Sequence, residues 1–117
     1  MKIIEDQTRK DGITCIKFKK RTNEANYLDI KNDNGCWSHI GKFVESKPQV
    51  LSLDTGVGCV TLSIVIHELV HALMFEHEHK RPDRDEWIEI IEENIIPCDL
   101  KFFKIIVNLD NNLIILI

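Results

Sequence analysis

A chain of 117 residues with 44% hydrophobic and 29% charged side chains has the size and balance of one globular domain. Its formal net charge of −4 and its one short basic run, Lys17–Arg21, argue against a nucleic-acid partner, which calls for a basic face. No stretch approaches the roughly 18 apolar residues of a membrane helix, and "MKIIEDQTRK" carries charge where a signal peptide would be apolar.

In chain order, Thr14–Phe18 alternates, with Ile16 and Phe18 on one face and Lys17 and Lys19 on the other. This predicts a strand whose solvated side is the basic run. Asn26–Asp33 repeats the pattern. The turn signal Asp33–Gly35 then leads into Cys36–Gly41, which predicts a hairpin. Gln49–Leu53 reads as a short strand between Pro48 and "DTGVG". From Ser63 to His77 runs one long, mostly apolar helical segment with Ser63 as its N-cap. A second helix is expected over Glu86–Asn94, ending before Pro97. Strands followed by helices predict an α+β domain with the long helix packed on the sheet. Four cysteines, Cys15, Cys36, Cys59 and Cys98, allow three full pairings, and spacing does not choose among them.

Four of the five histidines, His67, His71, His77 and His79, fall within "HELVHALMFEHEH". His67 and His71 are four apart, so a helix sets them one turn apart on one face, where two imidazoles can share a metal. Glu68, rotated by one helical step, can reach a water on that metal and act as general base. The bland alternative is a buried helix with incidental histidines. His77 lies six residues beyond His71, and an unbroken helix would rotate it by about 600° onto another face. It can join the other two only if the helix ends soon after Leu73. The usual device is a glycine in the left-handed conformation. The longer pattern H-E-x-x-H-x-x-G-x-x-H is the metzincin signature, and Met74 stands at its glycine position.

The run "HELVHALMFEHEHKRPDRDEW" resembles the astacin family of zinc endopeptidases, whose pattern is H-E-x-x-H-x-x-G-F-x-H-E-x-x-R-x-D-R-D. His67, Glu68, His71, Phe75, His77, Glu78, Arg81, Asp83, Arg84 and Asp85 match it. The likeness extends upstream through "TCIKFKKRTNEANYLDI", "GCWSHIGK" and "QVLSL", and covers about residues 13–103, with 104–117 as an unrelated tail. The resemblance implies a metzincin-like upper subdomain: a small mixed β-sheet with a zinc-binding active-site helix, the lower subdomain being largely missing. It implies one Zn²⁺ per chain on His67, His71 and His77, with Glu68 as base. A protein or peptide substrate would lie along an edge strand formed by Cys36, Trp37, Ser38 and His39. It further implies a Cys36–Cys59 disulfide, free thiols at Cys15 and Cys98 (with a Cys15–Cys98 bond as the alternative), and a secreted protein. His79 has no family role and is expected to be an exposed polar residue.

The departures from the family are Met74, the lack of any Met after Met74 or Tyr after Tyr27, the late start, and the apolar ending "FFKIIVNLDNNLIILI". A truncated gene prediction or splice form would account for them. Alongside a zinc metalloendopeptidase stand two other readings: a catalytically inactive zinc-binding remnant, and a non-metal structural or interaction domain.

Overall fold

The computed structural model describes residues 1–42 and 47–106, so the part of the expected tail from 107 to 117 lies outside the described residues. Residues 1–75 form one compact unit, and a second begins at Glu76.

The first unit opens with helix α1, Lys2–Gln7, whose Ile4 is buried. The Thr8 hydroxyl closes it by donating to the Ile4 carbonyl at 2.8 Å. Strands β1, Arg9–Lys10, and β2, Ile13–Thr14, pair antiparallel across Asp11 and Gly12, whose φ angles are 52° and 81°. Two positive φ values are what a type I′ hairpin needs, and an Asp-Gly pair supplies them. The strand expected over Thr14–Phe18 is therefore confined to its first residue. Beyond it the Phe18 N–H donates to the Glu5 carboxylate at 2.7 Å, not to a neighbouring strand. The alternation there records burial without a ladder: Ile16 and Phe18 pack against the core, while Lys17 and Lys19 are exposed.

Strands β3, Leu28–Lys31, β4, Trp37–Ser38, and β5, Gln49–Ser52, form a mixed sheet in the order β3-β5-β4. β3 runs parallel to β5, with Leu28 opposite Gln49 and Lys31 opposite Ser52. β4 runs antiparallel to β5, with Trp37 opposite Ser52. The expected β3–β4 hairpin does not form. Its turn exists, but β5 separates the two strands. The buried Ser52 hydroxyl donates to the Gly35 carbonyl at 2.7 Å and accepts from the Asp33 N–H at 3.3 Å, pinning the turn to β5.

Helix α2 spans Leu62–Ala72. Its N-cap is Thr61, not Ser63: Thr61 has extended backbone and its Oγ1 accepts the Ile64 N–H at 3.4 Å. It lies on the sheet through Leu69, which is 1% exposed, against Leu51, which is 0% exposed. Leu28, Leu53, Val65 and Leu73 flank that contact.

The second unit is a series of 3₁₀ turns at Glu78–Lys80, Arg84–Glu86, Glu92–Asn94 and Pro97–Phe103. The helix expected over Glu86–Asn94 is absent because the segment buries no face: every residue in it except the half-buried Ile90 is exposed. A short segment rich in β-branched Ile has no other source of helical stability. The turns are tied by Arg81, which bridges Asp83 at 2.9 Å and Glu78 at 3.1 Å, and by Arg84, which donates to the His79 and Phe103 carbonyls. Among the described residues no helix is long and apolar enough to cross a membrane.

Candidate metal centre

The i, i+4 spacing on α2 has the expected effect. His67 Nε2 and His71 Nε2 lie 3.0 Å apart, with ring centroids 4.4 Å apart and planes 79° to each other. His67 is exposed, whereas His71 is buried. The His71 Nδ1 is 2.7 Å from the Phe75 carbonyl, which fixes the proton on Nδ1 and leaves the Nε2 lone pair for a metal. Glu68, next along the helix, is also buried.

The helix exit turns on Met74, which adopts φ 82° despite its β-carbon. The Met74 N–H donates to the His71 carbonyl at 2.8 Å and the Phe75 N–H to the Val70 carbonyl at 3.2 Å. These are the two hydrogen bonds of a Schellman motif, a turn that usually carries glycine at this position. The helix therefore stops at Ala72 and does not run on to His77. His77, the third expected ligand, follows at the start of the second unit.

His77 is oriented by its neighbour. Glu76 Oε1 accepts the His77 backbone N–H at 2.8 Å and stands 2.9 Å from His77 Nδ1. Burial alone would raise the Glu76 pKa. The His77 N–H, the Lys80 ammonium at 3.8 Å and the His77 ring together outweigh it and hold the carboxyl below its usual value. His79 is not a plain exposed residue. Its ring stacks on His77 at 5.3 Å and contacts Phe103, and its Nε2 is 3.1 Å from the Phe102 carbonyl.

Three neutral imidazole nitrogens suit Zn²⁺. Tetrahedral bonds of roughly 2.0–2.1 Å place ligand nitrogens a little over 3 Å apart, and the His67–His71 separation already approaches that. Among the described residues β4 lies at an edge of the sheet, paired with β5. Trp37 on it meets His39 edge-on at 5.5 Å. Cys36 and Cys59 are joined by a disulfide with Cα atoms 6.1 Å apart, and Cys15 and Cys98 are free and exposed.

Sequence reasoning missed three supports of this site: the Phe75 carbonyl, the Glu76 carboxylate and the Gly41 N–H, which donates to the His71 carbonyl at 2.8 Å. Glu76 beside His77 was a readable signal. A backbone carbonyl carries none.

Residues 3–112 match the family model described as Astacin, a peptidase family. The chain is 50% identical over 82 residues to astacin-like metalloprotease toxin 1 of Loxosceles intermedia, covering 70% of this chain and 30% of that protein. It is 45% identical over 101 residues to the astacin-like metalloendopeptidase of Gallus gallus, covering 86% of this chain and 24% of the relative. The solved structure of high choriolytic enzyme 1, a hatching enzyme zinc-protease from Oryzias latipes, matches with a TM-score of 0.68 at 42% identity, over 78% of this chain and 44% of that one. The chain thus spans less than half the length of each of these relatives. The α+β fold, the paired histidines on its long helix and these matches agree: this chain belongs to the astacin family of metallopeptidases.

Proposed function

We propose that the chain carries the zinc site of a metalloendopeptidase that hydrolyses internal peptide bonds of proteins. The observation that carries this reading is the pair His67 and His71 on α2, whose Nε2 atoms stand 3.0 Å apart, with Glu68 next to His67 on the same helix. His67, His71 and His77 would hold one Zn²⁺. Bound there, the ion would supply Lewis-acid polarisation of the scissile carbonyl and a water with a pKa near 7. The His71 Nδ1–H donates to the Phe75 carbonyl, so its unprotonated Nε2 would offer a lone pair to the metal. The Glu68 carboxylate takes a proton from the attacking water and returns it to the leaving amine. An extended peptide adds to the outer edge of β4 through backbone hydrogen bonds, along Cys36–His39. The Cys36–Cys59 disulfide supports an extracellular or otherwise oxidising location.

A second reading, a zinc-binding domain without turnover, is favoured by one observation. The sole tyrosine, Tyr27, lies under the Arg21 guanidinium at 4.0 Å, which leaves the described residues no tyrosine to assist the oxyanion. Peptide hydrolysis by the wild type and by Glu68→Gln, with zinc content measured on both, separates the readings. The protease reading expects equal zinc and hydrolysis only in the wild type, because glutamine cannot accept the proton. Equal turnover by both proteins would remove Glu68 from the role of base. Bound zinc with no hydrolysis by either would leave the second reading.

A further inference from the structure

We propose that Met74 and Gly41 form a matched pair that positions the metal ligands, Met74 acting as a positioning residue through its thioether. The inference rests on the metal site proposed above. A left-handed residue with a β-carbon costs about 1–2 kcal/mol, and Met74 sits at φ 82° with no glycine to relieve it. Something must hold it there, and the side chain is the candidate. A β-carbon built on Gly41 would lie 2.6 Å from Met74 Sδ, 2.8 Å from its Cγ and 3.0 Å from its Cε. The thioether therefore lies directly on the Gly41 backbone and fills the space that any other residue there would claim. An unbranched, polarisable side chain suits such a gap. Gly41 is itself left-handed, at φ 61°.

The pair has a second connection. The Gly41 N–H and the Met74 N–H both donate to the His71 carbonyl, each at 2.8 Å. The backbone of one proposed ligand is thus gripped from two sides. The turn that Met74 makes also delivers the Phe75 carbonyl to His71 Nδ1. Packing of the thioether on Gly41 offsets the strain at Met74, keeps both donors on His71 and holds the helix exit that leads to His77. Glycine at position 74 would adopt the same backbone without strain but would lose this anchor to the segment after β4.

The test uses the full chain and two measurements: amide exchange at Gly41 in the metal-free protein, and the zinc dissociation constant by chelator competition. The variants are Met74→Ala, Met74→Gly, Gly41→Ala and the double variant Gly41→Ala/Met74→Gly. Met74→Ala keeps the strain and removes the anchor. It should speed Gly41 exchange and weaken zinc by about tenfold, the size of the left-handed penalty, while Leu51 exchange stays unchanged. Met74→Gly should bind zinc within about threefold of the wild type, since it loses anchor and strain together. Gly41→Ala should weaken zinc more in the wild-type background than in the Met74→Gly background, because the clash exists only in the first. Wild-type exchange at Gly41 and wild-type zinc affinity in Met74→Ala would overturn the proposal. So would strictly additive effects in the double variant, which also decides the matter if Met74→Ala does not fold. If the wild type binds no zinc, the protease reading fails, and Gly41 exchange alone judges the pair.

Discussion

Asp54 ties the turn before Cys36 to the loop before Cys59. Its Oδ2 accepts the Gly35 N–H at 3.0 Å and its Oδ1 the Gly56 N–H at 2.7 Å. The Gly35 hydrogen bond first, and the Gly56 one second, hold its carboxyl below the usual aspartate range. A lowered folded pKa means that the stabilisation is present above the ordinary aspartate value and is lost as pH falls through the folded value. Asp54→Asn should therefore lower stability at neutral pH, and the difference from wild type should shrink as pH is lowered below the ordinary aspartate pKa of ~3.9. Urea unfolding at neutral pH and below that value checks this. A constant difference would assign Asp54 a role independent of its charge. At this scale the placing of His67 beside His71 was legible, because a four-residue spacing has one meaning on a helix. The left-handed turn at Met74 was not, because the residue that usually announces it is missing and a tertiary contact takes its place.

The element that matters most is α2, and it is held on the sheet by few buried side chains. Leu69 and Leu51 are 1% and 0% exposed. Leu69→Ala should cost about 2–5 kcal/mol, the usual range for a buried leucine, and should lower zinc affinity with it, because both helical histidines ride on this helix. Thermal unfolding and zinc titration of the variant test the link. Loss of stability with unchanged zinc binding would mean that the histidines assemble without the packed helix. The Cys36–Cys59 bond closes a separation of 23 residues between β4 and the approach to α2. On the chain-entropy account it contributes about 3 kcal/mol. Cys36→Ser/Cys59→Ser should fall by that amount in denaturant unfolding, and an unchanged midpoint would refute it. Strand positions at Leu28–Lys31 and Gln49–Ser52 were legible from alternation. Their partners were not, because a turn signal such as Asp33–Gly35 reports only local geometry, whereas β5 pairs with β3 from across the sequence.

Over the described residues, the buried ones all belong to the first unit: Ile4, Gly41, Leu51, Ser52, Glu68, Leu69 and His71. Among the described residues from Glu76 onward none is buried, and Trp87 is 78% exposed. Segments with little buried surface open at low free-energy cost. Limited proteolysis should cut first between Glu76 and Ile106 and spare residues 1–75, as mass spectrometry of the fragments would show. Early cleavage within Leu62–Ala72 would contradict this. The helix expected at Glu86–Asn94 failed for the same reason: its pattern was local, and nothing buries it. The α+β class and the metal helix were legible because a sheet and an amphipathic helix each declare an apolar face. If His67, His71 and His77 together hold one metal, the zinc content per chain reads it out. Purified protein, dialysed against trace zinc, should carry one Zn²⁺ per chain. His67→Ala, His71→Ala and His77→Ala should each lose stoichiometric zinc, since two imidazoles make a weak site. Full retention of zinc by His71→Ala would remove His71, and with it the three-histidine site.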